Sequence, residues 1–143
     1  MQSAPTEHIS TYNLDNGLII NIYGQAIEVT TKTGKQYLNH HIMRQMDENE
    51  DCASEGFIDV AHKDAYFTIE QQNCSGWMLV NEYITFEYSP DDDKIHLYRF
   101  NLQYIDRREP DKEIPEKIIT QKDFGVRSLE QIKLEELYEL TPE

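Results

Sequence analysis

The chain has 143 residues, with 27 acidic against 13 basic side chains, for a net charge of −14. That length suits one domain, residues 1–143, which buries roughly two-thirds of its unfolded surface without needing metal or many disulfides. No apolar run approaches the roughly 18 residues of a membrane span, so no membrane insertion is expected, and a field this acidic repels nucleic acid and favours a cationic partner.

Residues 1–7, Met1-Gln2-Ser3-Ala4-Pro5-Thr6-Glu7, read as a disordered lead. They lack the basic and apolar regions of a signal peptide, although a short polar lead is also what an exported protein keeps after cleavage. His8 to Leu14 forms a first strand, and Asp15-Asn16-Gly17 carries the Asn-Gly signal of a hairpin. Leu18 to Tyr23 is apolar on both parities and predicts a buried strand ending at Gly24. Ala26 to Thr31 alternates, Lys32-Thr33-Gly34-Lys35 turns the chain, and Gln36 to Met43 completes a second hairpin. His40 and His41 cannot share one ion, because successive strand residues face opposite sides.

Met46 to Glu55, MDENEDCASE, has no periodicity and predicts an acidic loop. Asp47, Asn49 and Asp51 mimic the first calcium-ligand positions of an EF-hand, but Cys52 and Ile58 stand where Gly and Glu are required. Gly56 to Ala61 gives another strand. Ala65 to Tyr104 holds the densest aromatic and β-branched content and the single Trp77. Period-two alternation there predicts a three-strand meander, turning at Asn73-Cys74-Ser75-Gly76 and at Ser89-Pro90-Asp91-Asp92-Asp93. Tyr98, Phe100, Leu102 and Tyr104 share one parity of its last strand.

Beyond Tyr104 the charged run Asp106 to Glu113 is an exposed connection, Lys117-Ile118-Ile119-Thr120 an edge strand, and Asp123-Phe124-Gly125 a turn. Ser128 with Gln131 makes a capping box ahead of Leu129, Ile132, Leu137 and Leu140, predicting a C-terminal helix of about ten residues. The fold expected is mainly β: an antiparallel sandwich or curved sheet of about eight strands with one C-terminal helix.

Charge is concentrated: Asp47 to Asp93 carries 13 acidic residues against Lys63 alone, a net of −12. No nucleophile motif, phosphate loop or dinucleotide fingerprint occurs, so neither catalytic residues nor cofactors nor a metal site are assigned. A carboxylate hydrolase would have to use acids such as Glu70 and Glu82, which lie inside strand patterns. Cys52 and Cys74 sit in polar contexts; joined, they would close a loop of about 22 residues and stabilise by about 3 kcal/mol, whereas in a reducing cytoplasm they would stay free thiols.

The central phrases YFTIEQQNCSGW, EYITFEY and KIHLYRF resemble small exported bacterial β-rich proteins, in particular immunity proteins of type VI or contact-dependent secretion toxins. The resemblance implies a protein that is not an enzyme, resides in the periplasm (alternatively the cytoplasm), and occludes the active site of a cognate toxin with a cationic surface, one acting on the cell wall. The residues expected to meet that partner are Asp47, Glu48, Glu50, Asp51, Asp91, Asp92 and Asp93, with Trp77 as the packed anchor. The alternative function is a carbohydrate- or small-ligand-binding sandwich in which Trp77 supplies a stacking platform.

Overall fold

The computed structural model describes residues 7–44 and 55–142. Nine strands form two antiparallel meanders, each in chain order. The first sheet comprises β1 (His8–Asn13), β2 (Ile19–Tyr23), β3 (Ile27–Thr30) and β4 (Gln36–Asn39). The second comprises β5 (Gly56–Lys63), β6 (Tyr66–Ser75), β7 (Met78–Ser89), β8 (Lys94–Asp106) and β9 (Lys117–Thr120). Within the meanders most neighbouring strands are joined by short turns whose residues the sequence supplies, and residues 107–116 form the longer connection from β8 to β9. At the first turn, Gly17 has φ +91° and lies so close to Lys32 that an added Cβ would sit 2.9 Å from that residue's Cβ, so the position admits little but glycine.

The apolar faces of both sheets meet in one core. Ile20, Ile22, Ile27, Val29 and Tyr37 come from the first sheet, and Phe67, Ile69, Ile84, Phe86, Leu97 and Phe100 from the second. The rings of Phe67 and Phe86 stack at 5.3 Å across the β6–β7 pair. Leu129, Ile132 and Leu137 close one end of the core.

Along β6 and β7 burial follows sequence parity except at Thr85, which is buried on the other face, but on β8 the alternation itself shifts. The register moves from Thr85↔Arg99 to Phe86↔Leu97, leaving Tyr98 as the extra residue of a bulge. Leu97 and Phe100 therefore both point inward, while Tyr98 and Arg99 are both exposed. A bulge resets alternation by one residue, so Tyr98 leaves the parity it shares in sequence with Phe100.

Several boundaries also differ from expectation. The turn after β6 consists of Gly76 and Trp77, so Asn73 and Cys74 belong to the strand. The strand expected to run to Met43 stops at Asn39, whose side-chain Oδ1 accepts the His41 backbone N–H at 2.6 Å and takes over from the ladder. Asp123-Phe124-Gly125 closes a short helix, α1 (Gln121–Phe124), capped at its start by Thr120. The single C-terminal helix is instead a 3₁₀ turn (Leu129–Gln131) followed by α2 (Leu134–Leu140). Ser128 and Gln131 do form the capping box, but Ile132 is extended (φ −95°, ψ 139°) and breaks the helix there.

Candidate binding face

The sequence-derived acidic residues separate into three groups. Asp47, Glu48, Glu50 and Asp51 lie outside the described residues. Asp91 and Asp92 are exposed in the β7–β8 turn. Asp93 is turned into the fold: its backbone takes φ +58°, its Oδ2 accepts the Thr31 hydroxyl at 2.9 Å and that of Thr33, and its Oδ1 accepts the Tyr88 hydroxyl at 2.6 Å. Its carbonyl accepts the Tyr37 hydroxyl at 2.8 Å. Asp93 thus ties the two sheets together.

Those hydroxyl donors, Thr33 first and then Tyr88, hold the Asp93 carboxyl below its ordinary range, and the same contact pushes the Tyr88 hydroxyl up to about 12. A depressed carboxyl pKa stabilises the fold above the unfolded value and loses that contribution as pH falls through the folded one. Wild type should therefore exceed Asp93→Asn in urea stability at neutral pH, with the difference shrinking as pH falls below about 4. A difference independent of pH would rule out this linkage.

Trp77 is 59% exposed at the β6–β7 turn. The guanidinium carbons of Arg107 and Arg108 lie 5.9 and 5.7 Å from its ring centre. Cys74 is not a free thiol, and its expected partner Cys52 lies outside the described residues.

Glu82 points inward, fully buried beside Gln71 on the core face of the second sheet. Arg44 donates to it in a fork, Nε to Oε1 at 2.9 Å and Nη2 to Oε2 at 2.5 Å. Asn73 donates to Oε2 at 2.9 Å, and the Tyr138 hydroxyl of α2 donates to the same oxygen. Gln71 completes the cluster by accepting the Arg44 backbone N–H at 2.7 Å and donating to the Ile42 carbonyl at 2.9 Å. Burial alone pulls the Arg44 guanidinium down, but bonding to Glu82 outweighs it and raises it; burial and then the charge of Glu82 raise the Tyr138 hydroxyl. With both oxygens bonded, this carboxylate performs a structural task. A shallow depression of about 420 Å³ lies outside it, between Arg44, His41, Lys133 and Tyr138.

The opposite face of the second sheet has a different character. Strand register places Ala61, Thr68, Thr85 and Arg99 in one cross-strand row, and Asp59, Glu70, Tyr83, Asn101 and Ile118 in the next. Two adjoining depressions of about 440 Å³ each share the first row. Around one stand Tyr66 and Tyr98, whose rings lie 4.8 Å apart, with His62 and Lys63; around the other stand Glu70, Tyr83, Asn101 and Glu116. One half is aromatic and carries Lys63 beside Asp64, the other carries Glu70 and Glu116, and Arg99 lines both.

Thr68 and Thr85 share a 2.8 Å hydrogen bond at the floor. Beyond them, Gln72 donates to Asn81 at 2.7 Å and Asn81 to Gln103 at 3.0 Å, a polar ladder that holds this side of the sheet in register. Tyr83 donates to Gln103 at 3.2 Å. Burial first, then the charge of Asp59, raises the Glu70 carboxyl; burial, then Glu70 and Glu116, raises the Tyr83 hydroxyl. Strand alternation alone puts these residues on one surface, and the Tyr98 bulge adds a third aromatic to it.

No family model matches the chain, and no curated protein or solved structure is significantly similar to it.

Proposed function

We propose that the protein is an immunity-type inhibitor, not an enzyme, that binds a cognate secreted bacterial toxin and covers its active site. The observation that carries this reading is the open face of the second sheet. Tyr66, Tyr83 and Tyr98 stand there among Glu70, Glu116 and Arg99, on a rigid antiparallel frame. Rigid tyrosines interspersed with charges suit a protein interface, because they bring large contact area at low entropic cost. A net charge of −14 draws a cationic partner toward the protein.

The acidic residues Asp47, Glu48, Glu50 and Asp51, with Asp91 and Asp92 in the β7–β8 turn, add to the steering field. The toxin is proposed to act in the periplasm on the cell wall, and Cys52 is proposed to pair with Cys74, as an oxidising compartment permits. An intact mass under non-reducing conditions that shows two thiols would remove that support for export.

The decisive experiment is genetic and kinetic. Periplasmic expression of the product of the adjacent gene should arrest growth, and co-expression of this protein should restore it. Association of the purified pair should slow as salt rises. Replacing Asp47, Glu48, Glu50 and Asp51 with their amides should slow it by at least about tenfold at low salt, whereas changing the exposed Glu135 and Glu139 on α2 should not. An adjacent product that is harmless, or that still kills in the presence of this protein, would sink the proposal.

A further inference from the structure

Asn16 is the one asparagine of the sequence that glycine follows. In such a pair the glycine nitrogen can attack the asparagine side chain: a bond forms from Gly17 N to Asn16 Cγ, the Cγ–Nδ2 bond breaks, ammonia leaves and a succinimide ring remains. Water then opens the ring at either carbonyl, giving aspartate or isoaspartate. Glycine favours this chemistry because it has no side chain to shield its nitrogen and its backbone reaches the conformations that ring closure needs. In the fold, every participating group is engaged. The Gly17 N–H donates to the Leu14 carbonyl at 3.0 Å. Asn16 Oδ1 accepts the Leu18 N–H at 3.1 Å, and its Nδ2 donates to the Asp64 carbonyl at 3.3 Å. Reversing the amide would set nitrogen against N–H and oxygen against carbonyl, so this orientation is the fitting one. The bond to Asp64 crosses the sandwich, from the β1–β2 turn to the β5–β6 turn, where Asp64 takes φ +55°.

We infer that Asn16 is a modification site gated by the fold: the docked turn suppresses deamidation, each opening of the turn permits it, and the product cannot remake the link to Asp64. Suppression follows because an N–H engaged in a hydrogen bond is harder to deprotonate, and Gly17 N cannot turn onto Cγ without breaking its bond to Leu14. The consequence follows from the product. Aspartate has no Nδ2 donor for the Asp64 carbonyl and sets a carboxylate against that oxygen, beside Asp15. Isoaspartate adds a methylene to the backbone of a turn in which Lys32 already lies against Gly17. Asp64 and Ala65 join the strands that bring His62, Lys63 and Tyr66 to the first depression, so the corner that loosens is a rim of the open face. The inference stands on the turn alone and does not depend on the partner-binding reading.

The test incubates the full chain at mildly alkaline pH, folded and in guanidinium chloride, and follows every asparagine by peptide mass spectrometry, with electron-transfer fragmentation to distinguish isoaspartate from aspartate. In the denaturant Asn16 should convert ahead of all other asparagines. In the folded chain its conversion should be slower by at least about tenfold, in step with the hydrogen-exchange protection of the Gly17 amide. Another asparagine leading in the denaturant would remove the site, and equal rates in the two conditions would remove the gate. The Asn16→Asp variant tests the consequence. Amides of the β5–β6 turn should exchange faster in it than in wild type, while those of β7 and β8 keep their protection. Unchanged exchange at that turn would show that Asn16 does not hold it, and would overturn the proposed effect of the modification.

Discussion

Arg44→Leu should lower unfolding stability by about 3–5 kcal/mol, because it strands the Glu82 carboxylate in the core. The reason lies in the asymmetry between the partners. Glu82 has no solvent exposure, whereas the Arg44 side chain keeps 24% of its own. Arginine can therefore retain water when unpaired, and the carboxylate cannot. Asn73 and Tyr138 still donate to Oε2 after the substitution, but they bring no compensating charge. The fold must then open around Glu82 to let water reach it. Arg44→Leu combined with Glu82→Leu should recover much of the loss, since replacing a whole buried ion pair with apolar groups is far less damaging than removing one member. Urea midpoints for the two single variants and the double variant give the coupling directly. A loss under about 1 kcal/mol for Arg44→Leu would mean that the pair behaves as a surface ion pair, and that Glu82 is not held as described.

Asn39→Leu should cost about 3 kcal/mol, from three backbone groups losing their partner at once. The Asn39 amide nitrogen donates to the carbonyls of Leu129 and Ile132 at 2.7 and 2.8 Å, and its oxygen accepts the His41 N–H. The residue is 2% exposed, so water does not readily replace it. These bonds fasten the 3₁₀ turn, and through it α2, to the first sheet; the Leu134 N–H donating to the His41 carbonyl at 3.0 Å continues the seam. Loosening should appear first in hydrogen exchange of the Leu134 and Leu137 amides, while β7 and β8 keep their protection. Asn39→Asp should fall by a similar amount, because it keeps the acceptor for His41 but loses both donors. Uniform loss of protection across both sheets would instead show that the C-terminal segment has no separate seam.

The aromatic alternation of Ala65 to Tyr104 was enough to establish three antiparallel strands and the faces of two of them, because a pleated strand with one buried side enforces period two. The same parity placed Glu82 with Ile84, Phe86 and Tyr88, and Gln71 with Phe67 and Ile69, so a polar pair facing the core was legible in the pattern. What neutralises Glu82 was not: Arg44 lies 38 residues away and is held there by Gln71 bonding the segment after β4, and Tyr138 lies 56 away and is brought by the packing of α2. Asp93 shows the same limit. Composition marked it as one acid of an exposed turn, but its positive φ and the hydroxyls of Thr31, Thr33 and Tyr88 turn it inward as a fastening between sheets. The open face was divided in the same way. Alternation fixed which side chains of β6 and β7 lie on it, but the bulge that adds Tyr98 depends on how β8 sits between β7 and β9. Local pattern decides which way a side chain points; which groups it meets there is decided by contacts between segments far apart in the chain.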